Sequence, residues 1–204
     1  MAAPSAGRRR LLGLGGALAL RGPSAAAAVL PASAAALAPR GAAAATVHHL
    51  LAKLPSAVVA QAGELHRLGA GTMRWFGLHV YDAALWVRES AWDPADTFAL
   101  DIVYARDIAG KALAESSITE MKRVGFTDEA QHARWLPAMV RMFPDVGRGD
   151  RLVGLNLKSG AMFFNQDRVL GIVDDPVFAR AFFAIWLDPR TRESALRNRL
   201  LGKA

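Results

Sequence analysis

The chain has 204 residues, of which 52% are hydrophobic and 21% charged, a composition typical of one or two globular domains. Its formal net charge is +7, but residues 1–45 contain five arginines and no acidic residue. Because the remainder is almost neutral, we expect no nucleic-acid partner. The chain has no cysteine, which excludes disulfides, a thiol nucleophile and zinc–thiolate sites.

Residues 1–45 have the pattern of a targeting leader. Three arginines, Arg8–Arg10, precede an apolar segment at 11–20 that is too short to span a bilayer. This pattern is typical of a twin-arginine export signal, and alanine-rich sequence follows it. We expect a leader over 1–45 and a domain over 46–204, periplasmic or secreted and with no stable membrane span after cleavage. An organelle transit peptide and a disordered extension are the alternatives.

The chain beyond the leader predicts strands and helices in alternating groups. Apolar sequence at 46–61, interrupted by Pro55, favours a short helix or strand. Runs of alternating or apolar residues predict strands at 64–68, 78–87, 98–104, 151–158, 161–165 and 168–173. The strand at 98–104 is expected to have one wetter face.

Capping residues place the predicted helices. Asp107 is expected to cap a helix over 108–124, and Thr127 a second helix that contains Pro137. Asp175-Pro176 predicts the start of a third helix, and Asp188-Pro189 the start of a last helix that ends near 201. Strands, helices, strands and helices in this order predict an α+β domain, an antiparallel sheet with helices packed mainly on one face.

Chemistry-bearing residues concentrate in the stretch Leu68–Val87. Gly69 and Gly71 allow the backbone a tight turn or a close approach to another group. Counting in steps of two then puts a guanidinium and a carboxylate on one otherwise apolar strand face. The residues that share this predicted face are Arg74, Phe76, Leu78, Val80 and Asp82. A simpler interpretation is an arginine at a strand end that reaches water.

The segments GAGTMR and VYDAALWV within that stretch resemble the chalcone-isomerase-like family, especially its bacterial, non-plant branch. The resemblance continues through YARDIAGKAL, FPDVGRGDRL, FARAFFAIWLDPRT and LRNRLLG, and covers nearly all of residues 62–202. It implies the chalcone-isomerase-like fold, an open-faced β-sandwich, which agrees with the α+β class. It also implies chemistry without a cofactor.

The family resemblance assigns a role to Arg74. In chalcone isomerases the matching arginine lies in an apolar cleft and contacts a phenolate or the forming oxyanion, and in fatty-acid-binding members it holds a carboxylate. The rest of the isomerase set does not carry over. Asp82 stands where the plant enzymes have a strand threonine, Leu113 where they have a tyrosine, and Glu120 where they have an asparagine.

These observations lead to three hypotheses. The first is a binding protein for a small amphipathic acid, either a fatty acid or an aromatic acid, in which Arg74 is buried and holds the acid group. Its cavity would be lined by Phe76, Tyr81, Trp86, Tyr104 and Leu113. The second is an isomerase or intramolecular lyase on an unknown substrate, with Arg74 as electrophile and Asp82 as general base. The third is a buried Arg74–Asp82 ion pair beside a filled cleft.

Two further groups of residues have simple interpretations. The five histidines lack metal-ligand spacing with carboxylates, so we expect no metal site. The aromatic residues between Phe178 and Trp186 have helical spacing, which favours a place in the core over a ligand wall.

Overall fold

The computed structural model of this chain describes residues 51–203, so the predicted leader at 1–45 lies outside the described residues. The helices are α1 (Ser56–Ala62), α2 (Gly110–Arg123), α3 (Glu129–Met142), α4 (Pro176–Leu187) and α5 (Ser194–Leu200). The strands are β1 (His66–Trp75), β2 (Leu78–Val87), β3 (Phe98–Tyr104), β4 (Arg151–Leu157), β5 (Gly160–Asn165) and β6 (Arg168–Val173). Within this part of the chain, no helix is both long and apolar enough to cross a bilayer.

The six strands form one antiparallel sheet in the order of the sequence, β1 to β6. Each strand pairs with the next along the chain, so β1 and β6 are the two edges. This architecture confirms the predicted α+β class with an antiparallel sheet.

Side chains of the strands alternate between two apolar clusters, one on each face of the sheet. On β2, Ala83, Leu85 and Val87 belong to the larger cluster, which the residues of α2, α3, α4 and α5 complete. Ala84 and Trp86 belong to the smaller cluster, which α1 covers together with the chain before and after it. Four of the five described helices therefore pack on one face, as predicted.

The β1–β2 connection is a two-residue hairpin turn made by Phe76 and Gly77. Trp75 pairs with Leu78, and the two turn residues have φ values of 47° and 79°. The prediction that Arg74, Phe76, Leu78, Val80 and Asp82 share one face is wrong, because the count of two runs across this turn. In the observed register Asp82 pairs with Thr72.

Gly69 lies where α5 packs on β1. A Cβ atom built on it would lie 2.0 Å from the Arg199 carbonyl oxygen and 2.6 Å from that of Leu200. Only a residue without a side chain allows this approach. The predicted close approach at Gly69 is therefore confirmed.

Two predicted helix caps are wrong by a few residues. The first residue of α2 is Gly110, whose N–H donates to the Asp145 carboxylate at 2.8 Å instead of lying behind an Asp107 cap. α3 is capped by Asp128, whose carboxylate accepts from two backbone N–H groups, and not by Thr127. For α2 the competing aspartate comes from a distant part of the chain, whereas for α3 it is the residue that directly follows Thr127.

Of the two helix starts predicted near the end of the chain, one is confirmed and one is wrong. Asp175 caps α4 through two backbone N–H groups, as predicted, with Pro176 in the first turn. Asp188-Pro189 does not begin a helix, because Asp188 ends α4 and α5 begins only at Ser194. The prediction of a wetter face for β3 is also wrong, since all seven of its residues are buried.

Candidate functional site

A cavity of about 520 Å³ lies between the larger apolar cluster of the sheet and helices α2 and α4. Its floor is formed by side chains of β3, β4 and β5, and its roof by side chains of the two helices. The lining is mostly apolar, and its apolar residues include Leu100, Ile102, Leu113, Leu152, Phe163 and Phe182. The volume falls within the range of roughly 300–1,000 Å³ that is usual for small-molecule sites.

One end of the cavity is walled by aromatic rings. Phe163 lies 4.9 Å from Phe182 and 5.1 Å from Phe143, measured between ring centroids. Phe182 in turn lies 5.4 Å from Trp186. The aromatic residues of α4 therefore belong both to the core and to the cavity wall. Phe178 is buried in the core, while Phe182 and Trp186 line the cavity.

Two tyrosines bring hydroxyl groups into the other end. The rings of Tyr81 and Tyr104 are 6.1 Å apart in an edge-on arrangement, and both line the cavity. The Trp186 indole N–H donates to the Tyr81 hydroxyl at 2.8 Å, which leaves the hydroxyl proton of Tyr81 free to donate. Within residues 51–203, the Tyr104 hydroxyl has no protein hydrogen-bond partner.

Burial fixes the protonation state of this tyrosine pair. Loss of water around the rings raises the pKa of Tyr81 and the pKa of Tyr104 well above the ordinary value for tyrosine. Both side chains are therefore neutral hydrogen-bond donors at any physiological pH. The cavity is apolar at one end and offers O–H donors at the other.

A charged group closes the tyrosine end. Arg192 Nη2 lies 2.9 Å from Glu120 Oε1, and the second Glu120 oxygen lies 3.1 Å from Arg123 Nε. The Arg192 guanidinium also stacks over the Trp75 ring at 5.1 Å from its centroid. All of these side chains except Arg123 line the cavity, and so does Glu193. The negative charge of Glu193 contributes to the raised pKa of Tyr81.

Arg192 was not found from the sequence. It lies directly after the FARAFFAIWLDPRT segment that carries part of the family resemblance. The predicted helix from Asp188 to about residue 201 includes this position. In the structure this segment is a loop that folds back over the cavity.

The prediction of a buried Arg74 in the apolar cleft is wrong. The Arg74 side chain is exposed, its only hydrogen bond within residues 51–203 goes to the Gly77 carbonyl at 3.4 Å, and it does not line the cavity. Asp82 accepts a hydrogen bond from Thr72 Oγ1 and lies 2.9 Å from His79 Nε2. The structure therefore brings neither the predicted Arg74–Asp82 catalytic pair nor the alternative ion pair together.

The other predicted site residues divide into two groups. Tyr81, Tyr104 and Leu113 line the cavity. Phe76 does not, since it is the first turn residue of the hairpin and is 90% exposed. Trp86 is buried on the opposite face of the sheet, where its indole N–H donates to Asp101 at 3.3 Å.

A buried ion pair does occur, on the face away from the cavity. Asp101 receives hydrogen bonds from Arg151 Nε at 2.8 Å and from Nη2 at 2.5 Å, and the same guanidinium donates to the Lys53 carbonyl. Burial raises the pKa of the Asp101 carboxyl, and the hydrogen bonds from Arg151 oppose that rise. These contacts tie the segment before α1 to the middle of the sheet, which is a structural role.

The polar side chains do not form a metal site in the part of the chain that the structure describes. Within residues 51–203, no group of three or more histidine, aspartate or glutamate side chains is placed to hold a metal ion. The polar side chains of the cavity lining are the hydroxyls of Tyr81, Tyr104, Ser116, Ser117 and Thr191, the guanidiniums of Arg106 and Arg192, and the carboxylates of Asp107, Glu120 and Glu193.

The fold and the cavity define an α+β domain with a largely apolar cavity between its sheet and its helices. A family described as chalcone isomerase-like matches residues 47–202, so the chain belongs to that family. The predicted resemblance is therefore confirmed. Among solved structures, the fold is similar to that of a fatty-acid binding protein of Arabidopsis thaliana. The TM-score is 0.53 at 10% identity, over 69% of this chain and 88% of the other. No curated protein matches the sequence.

Proposed function

We propose that this protein binds a small amphipathic acid, either a fatty acid or an aromatic acid, inside the cavity. The observation that carries the proposal is the chamber of about 520 Å³ with aromatic walls at one end and two neutral hydroxyls at the other. An apolar ligand body gains free energy by leaving water for such a chamber. The fatty-acid binding activity of the similar plant protein agrees with this ligand class.

The polarity of the cavity sets the orientation of the ligand. The hydrocarbon or aromatic body lies against Phe143, Phe163 and Phe182, and the acid group lies near Tyr81, Tyr104 and Arg192. Tyrosine hydroxyls and a guanidinium are all donors, which match the acceptor oxygens of a carboxylate. This placement gives Arg192 the role that the sequence assigned to Arg74.

Native mass spectrometry of the purified protein tests the proposal directly. We expect an additional mass that corresponds to a copurified acid, released under denaturing conditions. Calorimetric titration of delipidated protein with dodecanoic acid and with dodecanol then measures the preference for the acid group. Absence of copurified ligand together with no heat for either compound would refute the proposal.

Two variants locate the binding site. Leu113→Trp places a larger side chain in the chamber, so dodecanoic acid binding should be abolished while the fold persists. Arg74→Met, outside the cavity, should leave the affinity unchanged. If Arg74→Met weakened binding and Leu113→Trp did not, the ligand would lie elsewhere on the molecule.

We also propose that the protein is exported, on the support of the arginine cluster Arg8–Arg10 and the apolar segment at 11–20. Amino-terminal sequencing of protein from the expressing cell tests this. Cleavage within the alanine-rich region before residue 46 is the expected result, and an intact amino terminus in the mature protein would contradict it.

A further inference from the structure

The tip of the β1–β2 hairpin exposes a cluster of large apolar side chains. Phe76 is 90% exposed, Leu78 55% and Trp75 43%, and the Trp75 and Phe76 rings contact each other edge to face at 5.1 Å. Single exposed apolar residues are common on protein surfaces, but adjacent ones mark sites of interaction. The cluster, Trp75, Phe76 and Leu78, is called the hairpin tip below.

Phe76 is unfavourable for the folded protein on two counts. Its φ of 47° lies in the left-handed region, where a bulky side chain is an outlier. Asparagine or glycine is usual at this position of a two-residue hairpin turn. Its ring also remains in water. Neither packing nor backbone geometry explains a phenylalanine here, whereas burial of its ring against an external partner would.

The charge beside the tip is positive. Arg74 is exposed and, within residues 51–203, has no carboxylate partner. Together with Arg199, Thr72 and Glu193 it borders a polar depression next to the hairpin. Exposed aromatic and aliphatic side chains next to arginines are typical of surfaces that bind the interface of an anionic membrane.

We propose that the hairpin tip docks onto the surface of an anionic lipid bilayer, with Phe76 and Leu78 in the acyl–headgroup boundary and Arg74 on the headgroup phosphates. Trp75 belongs both to the tip and to the lining of the cavity. Docking would therefore bring the tyrosine end of the cavity to the lipid surface. The connection between docking and the cavity rests on the proposed function, whereas the docking itself is a property of the tip.

A fluorescent reporter tests the docking. Since the chain has no cysteine, Leu78→Cys in the full-length protein can be labelled at one site with nitrobenzoxadiazole. The label should brighten and shift to the blue with vesicles of phosphatidylcholine and phosphatidylglycerol in a 7:3 ratio. The matched control is a label on Ile172→Cys, which is 54% exposed on the opposite edge strand β6 and should not respond. Equal responses at both sites, or none at residue 78, would overturn the proposal.

Second substitutions in the reporter protein separate the contribution of the apolar hairpin tip from that of the charge beside it. Phe76→Asn, which suits the turn, should weaken vesicle affinity roughly tenfold through lost apolar burial. Arg74→Gln should weaken it about fivefold, and only for anionic vesicles. Arg168→Gln, an exposed arginine on β6, is the matched control and should have no effect. Unchanged affinity in Phe76→Asn would overturn the proposal.

Two further outcomes keep this inference separate from the proposed function. Leu113→Trp should abolish dodecanoic acid binding and leave the vesicle response of the reporter intact, so that either activity can fail alone. Ultracentrifugation of the wild type without vesicles checks for a second copy at the tip. A dimer that Phe76→Asn dissociates would replace the membrane as the partner and overturn the proposal.

Discussion

Arg192 holds two contacts at the tyrosine end of the cavity, one with Glu120 and one with the Trp75 ring. If it also receives the acid group of the ligand, Arg192→Met should weaken dodecanoic acid binding by about tenfold. This corresponds to the loss of one charge-assisted hydrogen bond of about 1.5 kcal/mol. Binding of dodecanol should change much less. Calorimetric titration of the wild type and the variant with both compounds measures the difference.

Glu120→Gln is the matched variant for Arg192→Met, and its expected effect on acid affinity has the opposite sign. Glu120→Gln keeps the shape of the side chain but removes the carboxylate that competes with the ligand for Arg192. Acid affinity should therefore rise a few fold. The free energy of unfolding should change by less than about 1 kcal/mol, because both ion pairs of Glu120 are partly exposed. A loss of acid affinity in Glu120→Gln would contradict the placement of the ligand.

The buried tyrosines predict how stability depends on alkaline pH. In the unfolded chain a tyrosine loses its proton near pH 10, whereas burial keeps Tyr104 protonated in the folded protein. The folded state then binds more protons, so the free energy of unfolding falls as the pH rises above 10. The slope is up to about 1.4 kcal/mol per pH unit for each such tyrosine. Urea unfolding at pH 9 and pH 11 measures this fall.

Tyr104→Phe is the control for the alkaline effect. It removes the titrating hydroxyl and leaves all lysine and arginine titrations in place. We expect a smaller difference between the unfolding free energies at pH 9 and pH 11 than in the wild type. Equal differences in both proteins would show that Tyr104 does not carry the effect.

Asp101 and Arg151 form a buried ion pair, the kind of contact that one of the three hypotheses assigns to Arg74 and Asp82. Arg151→Met leaves the Asp101 carboxylate unpaired inside the protein and should cost about 3–5 kcal/mol of unfolding free energy. The double variant with Asp101→Leu should recover much of this loss. The matched arginine control is Arg74→Met, which should change stability by less than about 0.5 kcal/mol. Chemical denaturation of the wild type, Arg151→Met, Asp101→Leu, the double variant and Arg74→Met completes the test, and additive losses in the double variant would contradict a direct pair.

At the scale of the element, the β1–β2 hairpin carries an unfavourable residue that can be corrected. Phe76→Asn places a residue that tolerates positive φ at the first turn position and removes an exposed ring. Unfolding free energy should rise by roughly 0.5–1 kcal/mol. Gly77→Ala, at φ 79°, should lower it by a similar or larger amount. Thermal melting of both variants gives the signs, and a less stable Phe76→Asn protein would show that Phe76 has a packing role.

The sequence predicted the kinds of elements better than their ends. Strand alternation and the Asp175-Pro176 start were sufficient for β3 to β6 and for α4, because these signals are local. The cap of α2 comes from Asp145, 35 residues away along the chain. No local pattern could have shown that contact, since it depends on how the chain folds back.

For the candidate site, one turn in the chain was enough to make part of the prediction from sequence wrong. The resemblance correctly indicated the fold, and Tyr81, Tyr104 and Leu113 do line the cavity. Arg74 was misplaced because counting in steps of two assumes an unbroken strand, whereas Phe76 and Gly77 reverse the chain. Two arginines do line the chamber, Arg106 and Arg192, and both lie in loops without periodicity, so no repeat in the sequence could have indicated them.

For the molecule as a whole, the lining of the cavity predicts the absence of one activity. Leu113 offers no hydroxyl to the chamber, and Glu120 is engaged with two arginines. Neither side chain can therefore take over the role of the tyrosine or asparagine that plant chalcone isomerases have at these positions. We expect no cyclisation of chalcones above the uncatalysed rate. Chalcone absorbance, recorded over time with and without protein, measures this rate. A rate that disappears in Arg192→Met would contradict this expectation.

The two faces of the sheet divide the work of the molecule. The α1 side has a continuous, fully packed cluster that includes Val153, Leu155 and Phe164, each with no exposed surface. The chamber lies entirely on the other side. Mutations that reshape the chamber thus fall outside the α1-side cluster, and distant sites act nearly independently on stability. Ligand preference in this scaffold can therefore drift during evolution, or be redesigned, only as far as the larger cluster tolerates, because Leu100, Phe163 and Phe182 belong both to that cluster and to the cavity lining.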